Sequence, residues 1–151
     1  FVTNTDANNF ASGWTTITIG SISVYADFGD AYTGEIPQFS LGWVPDGYTL
    51  DSIRKTESGI VYTYRDADGR QAFFNFNVSA IDMYLIYPQS RKYHQEAVSI
   101  NGMSGTLHIS SNTEDRPSIT WVNTERNILF NISAYTDIET LVKMAESVQE
   151  K

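Results

Sequence analysis

Apolar residues recur at every second position through most of this chain and switch to a three- and four-residue spacing only near its end. That switch predicts a run of strands followed by one helix. The helix is expected over residues 136–150. Ile138, Leu141, Val142, Ala145 and Val148 form one apolar stripe there, with Lys143, Glu146 and Glu150 off it. Thr136 and Glu139 stand at capping-box spacing, and Asp137 and Glu139 place negative charge at the positive end of the helix dipole. So short a helix depends on tertiary support, so its stripe is expected to dock on a sheet.

The strands follow from alternation and turn chemistry. Residues 14–28 are rich in β-branched and aromatic side chains, and their alternation changes phase at Gly20-Ser21, which marks a bulge or a hairpin turn. Residues 29–38 read as a loop containing Pro37. Pro45-Asp46-Gly47 has turn chemistry, with Trp43 and Tyr48 as apolar anchors on either side. Residues 48–56 and 60–65 read as strands broken at Ser58-Gly59, and Asp66-Ala-Asp-Gly69 as a hairpin turn. Ala72, Phe74, Phe76 and Val78 then alternate with Phe73, Asn75, Asn77 and Ser79, which predicts a half-buried strand with one apolar and one largely polar face. A short strand over residues 83–87 ends at Pro88, and residues 89–94 form a basic, exposed loop. Asn101-Gly102 is a two-residue hairpin signal between residues 96–100 and the strand holding Leu107 and Ile109. After a turn at 112–117, a last hairpin spans 119–122 and 128–134, the second arm presenting Ile128, Phe130, Ile132 and Ala134 together.

The expected fold is therefore α+β: a largely antiparallel β-sheet with one C-terminal helix packed on one face. The other face is expected to be solvated or lined by the N-terminal segment. Residues 1–13 read as a flexible tail or juxtamembrane linker, and 14–151 as a single domain.

Composition narrows the chemistry. At 151 residues the chain is long enough for a real core. It has no Cys, which excludes disulfides, thiolate metal sites and a Cys nucleophile. The net charge is −8, and residues 1–53 hold six acids and no Lys or Arg. Nucleic acid and anionic lipid are therefore poor partners.

No catalytic constellation emerges. His94 falls in the basic loop, and His108 sits at the parity that points away from the core, neither with a ligand partner at metal-site spacing. Ser52-x-x-Lys55 matches a serine–lysine pair, but in a strand residues three apart face opposite sides. Gly102-Met-Ser-Gly105 misses the nucleophile-elbow pattern by one position. Asp66-x-Asp68-Gly69 lacks the remaining ligands of a calcium loop. Asp27, Asp30 and Glu35 are loop carboxylates that suit calcium or a glycosidase acid pair, and calcium binding over 27–35 is left open. No cofactor or metal is expected. Trp14, Tyr84, Tyr87 and Tyr93 are the aromatic residues whose positions suit ligand binding. Asn77-Val-Ser79 and Asn131-Ile-Ser133 fit the N-glycosylation pattern.

Four ordered motifs, Trp43-Val-Pro-Asp-Gly-Tyr48, Ile100-Asn-Gly102, Ile119-Thr-Trp-Val122 and Leu141-x-x-Met-Ala-Glu-Ser-Val148, resemble a domain of unknown function. It occurs at the C-termini of bacterial membrane-anchored proteins, some of them anti-sigma-factor-like. The resemblance covers about residues 39–149. The W-x-P-x-G-Y turn is more weakly similar to extracytoplasmic regulators of anti-sigma factors and to lipoprotein-carrier-like domains. Read on their own chemistry, Trp43, Pro45, Gly47, Tyr48, Asn101, Gly102 and Trp121 are structural, as are Thr136, Glu139, Leu141, Ala145 and Val148 of the helix. The resemblance implies an extracytoplasmic domain tethered to the cell membrane by an anchor outside this chain. The expected function is non-enzymatic sensing or interaction with an unknown protein or cell-envelope ligand. The alternatives are a cell-wall or glycan-binding module and a hydrolase built on carboxylates such as Asp27 and Glu35.

Overall fold

The structure is a computed structural model that describes residues 35–78, 94–111 and 116–151 in full, and elsewhere only the backbone of strand segments. In chain order the strands are Val2–Thr3 (β1), Trp14–Ile19 (β2), Ile22–Asp27 (β3), Phe39–Leu41 (β4), Thr49–Lys55 (β5), Gly59–Arg65 (β6) and Gln71–Val78 (β7). They continue with Asp82–Ile86 (β8), Tyr93–Ile100 (β9), Met103–Ser110 (β10), Ser118–Asn123 (β11) and Ile128–Ser133 (β12). Helix α1 (Ile138–Glu146) and strand β13 (Val148–Glu150) complete the chain.

The main sheet has seven antiparallel strands in the order β5-β6-β7-β12-β11-β10-β9. Period-two alternation across this register aligns Tyr62, Phe74, Ile132 and Ile119 in one row, and Ile60, Phe76, Phe130 and Trp121 in the next. These side chains are buried on one face. Trp121 stacks on Phe130 with ring centroids 5.2 Å apart. Leu141, Met144 and Ala145 of α1 bury against this face, each large side chain supplying about 1.5–3 kcal/mol. The fold class is α+β, with antiparallel strands dominating and a single C-terminal helix.

A two-stranded ribbon of β4 and β13 completes the cover. Phe39 of β4 meets Phe76 and Phe130 edge-on at 5.2 and 5.0 Å, and the Tyr62 hydroxyl donates to the Phe39 carbonyl at 2.7 Å. Arg126 lies over the Phe39 ring and grips both carboxylate oxygens of Glu150 at 3.0 and 2.9 Å. That bond holds the Glu150 carboxyl below its usual range.

Several expectations change. The helix is shorter than residues 136–150: it ends at Glu146, and Val148 belongs to β13, paired with Leu41. Ser147 stops it. Its hydroxyl donates to the Met144 carbonyl at 2.6 Å and accepts from the Trp43 N–H at 3.2 Å, while its carbonyl accepts from Gly42 at 2.9 Å. The N-cap is Asp137, not Thr136: its carboxylate accepts from the Thr140 N–H at 2.7 Å, which lowers its pKa. An ionised carboxylate one residue nearer the helix displaces the Thr136–Glu139 box. His94 lies in strand β9 rather than a loop, 3.0 Å from Glu96. Val2–Thr3 of the expected tail forms a strand parallel to β8. β2 and β3 pair antiparallel, as one of the two readings of residues 14–28 expects, within a second sheet of order β1-β8-β3-β2; Gly20 and Ser21 lie outside the described residues.

Candidate functional site: the polar face of the main sheet

The same alternation that fills the helix side sends every second residue to the opposite face. Asn75, Asn131, Thr120 and Thr106 align across β7, β12, β11 and β10 in one row. The next row holds Phe73, Ser133, Ser118 and His108. This face is not solvated. Asn75 is 1% exposed, Asn131 and Thr120 0%, and His108 1%. Towards the sheet's two ends the face opens: among the described residues, Arg54 of β5, Ser104 of β10 and Gln95, Ala97 and Ser99 of β9 are exposed. Val61 and Leu129 are the buried apolar residues bordering the stripe.

The hydrogen bonding of the stripe is incomplete. Asn131 donates to the Ile119 carbonyl at 3.3 Å and to the Thr120 hydroxyl at 3.4 Å, leaving its amide oxygen unmatched. Ser58 donates to the Asn77 amide oxygen at 3.4 Å, and the Asn77 nitrogen is unmatched. Asn75 has no partner at either amide atom, and the Ser118 hydroxyl has none. Each such buried group costs about 1–3 kcal/mol.

At one end of this face lies a cation. The Arg116 guanidinium sits 5.0 Å from the ring centres of both Phe73 and Tyr135, and its Nε is buried without an acceptor. Two rings hold the fork in one orientation. The Tyr48 hydroxyl is in electrostatic range of Arg116 and Tyr135, its pKa pushed up first by burial and then by Asp66. Burial pushes the His108 imidazole down to about 4, so it is neutral near pH 7. The sequence places His108 on the side away from the helix, and it lies there, but buried.

The residues singled out from the sequence lie elsewhere. The side chains of Trp14, Tyr84 and Tyr93, and the whole of Tyr87, lie outside the described residues. So do the side chain of Asp27 and all of Asp30, while Glu35 is exposed. Ser52 and Lys55 face opposite sides of β5, opposite Thr63 and Ile60. Asp66 accepts from the N–H groups of Asp68 and Arg70 and from the Arg70 side chain at 3.1 Å, which closes its turn. Among the described residues, no group of three or more His, Asp or Glu is placed to hold a metal, and no helix is long and apolar enough to cross a membrane. Asn77 and Asn131 of the two glycosylation patterns are buried in central strands.

Trp43 is half-buried beneath Lys143, whose ammonium lies 4.0 Å from its ring centre. Gly47 and Gly102 occupy positive φ of 91° and 84°, which suits glycine in their turns, and Asn101 at 50° completes the second one. Asn101 also donates to the Glu146 carbonyl at 3.1 Å, tying that hairpin to the end of α1. The buried polar stripe does not stand out from the sequence alone. Its signal is the Phe-Asn-Phe-Asn alternation on β7, repeated by Asn131 on β12, with neutral amides in the middle of a sheet.

The chain is thus an α+β domain whose antiparallel sheet carries a helix on one face and a buried, uncharged polar stripe on the other. It belongs to the DUF4367 family, a domain of unknown function, whose profile matches residues 38–148. No curated protein and no solved structure matches the chain significantly.

Proposed function

We propose that the chain is a non-enzymatic, extracytoplasmic sensing or interaction domain of a membrane-anchored bacterial protein, and that its ligand binds on the polar face of the main sheet. The observation that carries this reading is Asn75, buried on a central strand with neither amide atom hydrogen bonded. Stability alone favours an apolar residue at such a place, so the unmet amide supports a role for this face other than holding the fold together. The four motifs that resemble membrane-anchored, anti-sigma-factor-like proteins support the location. Occupancy of the face would bias whatever module the full-length protein carries across the membrane.

The test is made in the full-length protein. Replacing Asn75 by Leu, which has nearly the same shape, is expected to abolish the signalling response while the domain remains folded by circular dichroism. An unchanged response in that variant, or in a protein deleted for this domain, refutes the reading.

A further inference from the structure

We propose that the edge strand β5 is a self-association surface, through which a second copy of this chain adds its own β5 antiparallel and continues the main sheet. The inference goes beyond the ligand reading and stands on the open edge rather than on the polar face. β5 ends the seven-stranded order and pairs only with β6. All seven of its residues, Thr49–Lys55, are exposed. Helix α1 packs on β9, β11 and β12 and leaves this edge clear. Leu50 and Ile53, at 49% and 53%, are the exposed large apolar side chains among the described residues. The opposite edge, β9, presents none among them. An unpaired edge with apolar side chains is a template for another strand.

The bulge in β5 selects the occupant. Asp51 is an extra residue between Leu50, which faces Tyr64, and Ser52, which faces Thr63. In a regular strand, residues three apart point to opposite faces. The bulge instead brings Leu50 and Ile53 to one face, opposite the buried Tyr64 and Tyr62. Asp51 lies on the other face with Thr49, Ser52 and Arg54, where its carboxylate meets Arg65 at 3.4 Å. A two-fold axis passing between Asp51 and Ser52 of both copies then matches faces throughout. Leu50 stands opposite Ile53 of the second copy, and Ile53 opposite its Leu50. Thr49 stands opposite Arg54, and the next residue of that face, Asp51, is the diagonal neighbour of the same Arg54. Apolar side chains meet apolar ones, and acid lies beside base. A regular strand laid along this edge leaves one residue of β5 unopposed, as β6 does; a second copy leaves none. Two strands of seven residues make an interface well below the roughly 1,600 Å² of a stable complex, so the dimer in solution is weak. Tethering to a membrane raises the effective concentration and favours it.

The test is sedimentation velocity of the whole chain from about 10 μM to about 1 mM, a range that brackets a weak dimer. A concentration-dependent dimer is expected. Ile53→Lys, at an exposed position, is expected to weaken it about tenfold or more with an unchanged circular dichroism spectrum. Ala97→Lys on the opposite edge, also exposed, is expected to leave it intact. Introduced cysteines test the register, since the chain has none of its own. The double variant Leu50→Cys, Ile53→Cys is expected to form a disulfide-linked dimer under mild oxidation, because each thiol stands opposite its counterpart. Either single variant sets its thiol opposite a different residue and is expected to cross-link several-fold less. A monomer at every concentration overturns the inference, as does a dimer indifferent to Ile53→Lys or lost with Ala97→Lys. Equal cross-linking by the single and double variants overturns it as well.

Discussion

Gly105 illustrates how a residue that resembles part of a nucleophile motif acquires a different reason to be there. It stands opposite Trp121 in the register of β10 and β11, on the helix side. A Cβ at this position would lie 2.6 Å from the Thr120 carbonyl oxygen and 2.9 Å from the Trp121 Cβ. The largest buried side chain of the core thus rests beside the smallest residue. Gly105→Ala is expected to destabilise the protein by about 1–3 kcal/mol in urea denaturation, whereas exposed Ser104→Ala should stay within about 0.5 kcal/mol. Equal midpoints for the two variants would show that the contact is not tight. At this scale the sequence was legible where turn chemistry is local. Asn101-Gly102 adopts the two positive φ values its residue types suggest. It was not legible for Asn75, Asn77 and Asn131. An amide at polar parity looks solvated until the fold places it in a central strand of a sheet closed on both faces.

The helix shows what a periodic pattern can and cannot specify about an element. The stripe of Ile138, Leu141, Val142 and Ala145 reads directly as a docking face, and Leu141 and Ala145 are fully buried. The end of the helix does not read this way, because Val148 continues the spacing yet pairs with Leu41 in a strand. What stops the helix is Ser147, whose bonds to Met144, Trp43 and Gly42 join it to a turn more than a hundred residues earlier. That partner is invisible to any local window. Leu141→Asp removes a fully buried side chain and inserts a charge, so it is expected to cost at least about 3 kcal/mol. The check is a thermal melt with the helical ellipticity followed alongside it. An unshifted midpoint would mean that the helix is not needed to hold the sheet.

For the whole molecule, the closed polar face couples stability to pH. The folded-state pKa of His108 is lowered from 6.5 to about 4 by burial. Below about pH 6.5 the unfolded chain takes up a proton that the native chain refuses, so stability falls as pH drops from 6.5 towards 4. The loss has a ceiling of about 3 kcal/mol. Asp137 and Glu150, whose pKa values are lowered in the fold, lose their contribution at lower pH, as they become protonated. Denaturant titrations across this range are expected to show a flatter profile between pH 6.5 and 4 for His108→Gln than for the wild type. Parallel profiles would assign the acid sensitivity elsewhere. The sequence by itself determined the class of fold: period-two alternation, turn residues and one amphipathic stripe are short-range properties, and they lead to an antiparallel sheet with a C-terminal helix. Only the tertiary structure decided where the helix ends, which face holds the candidate site, and that the polar face is buried. Burial is set by what packs over a residue, and the elements that meet there come from distant parts of the chain.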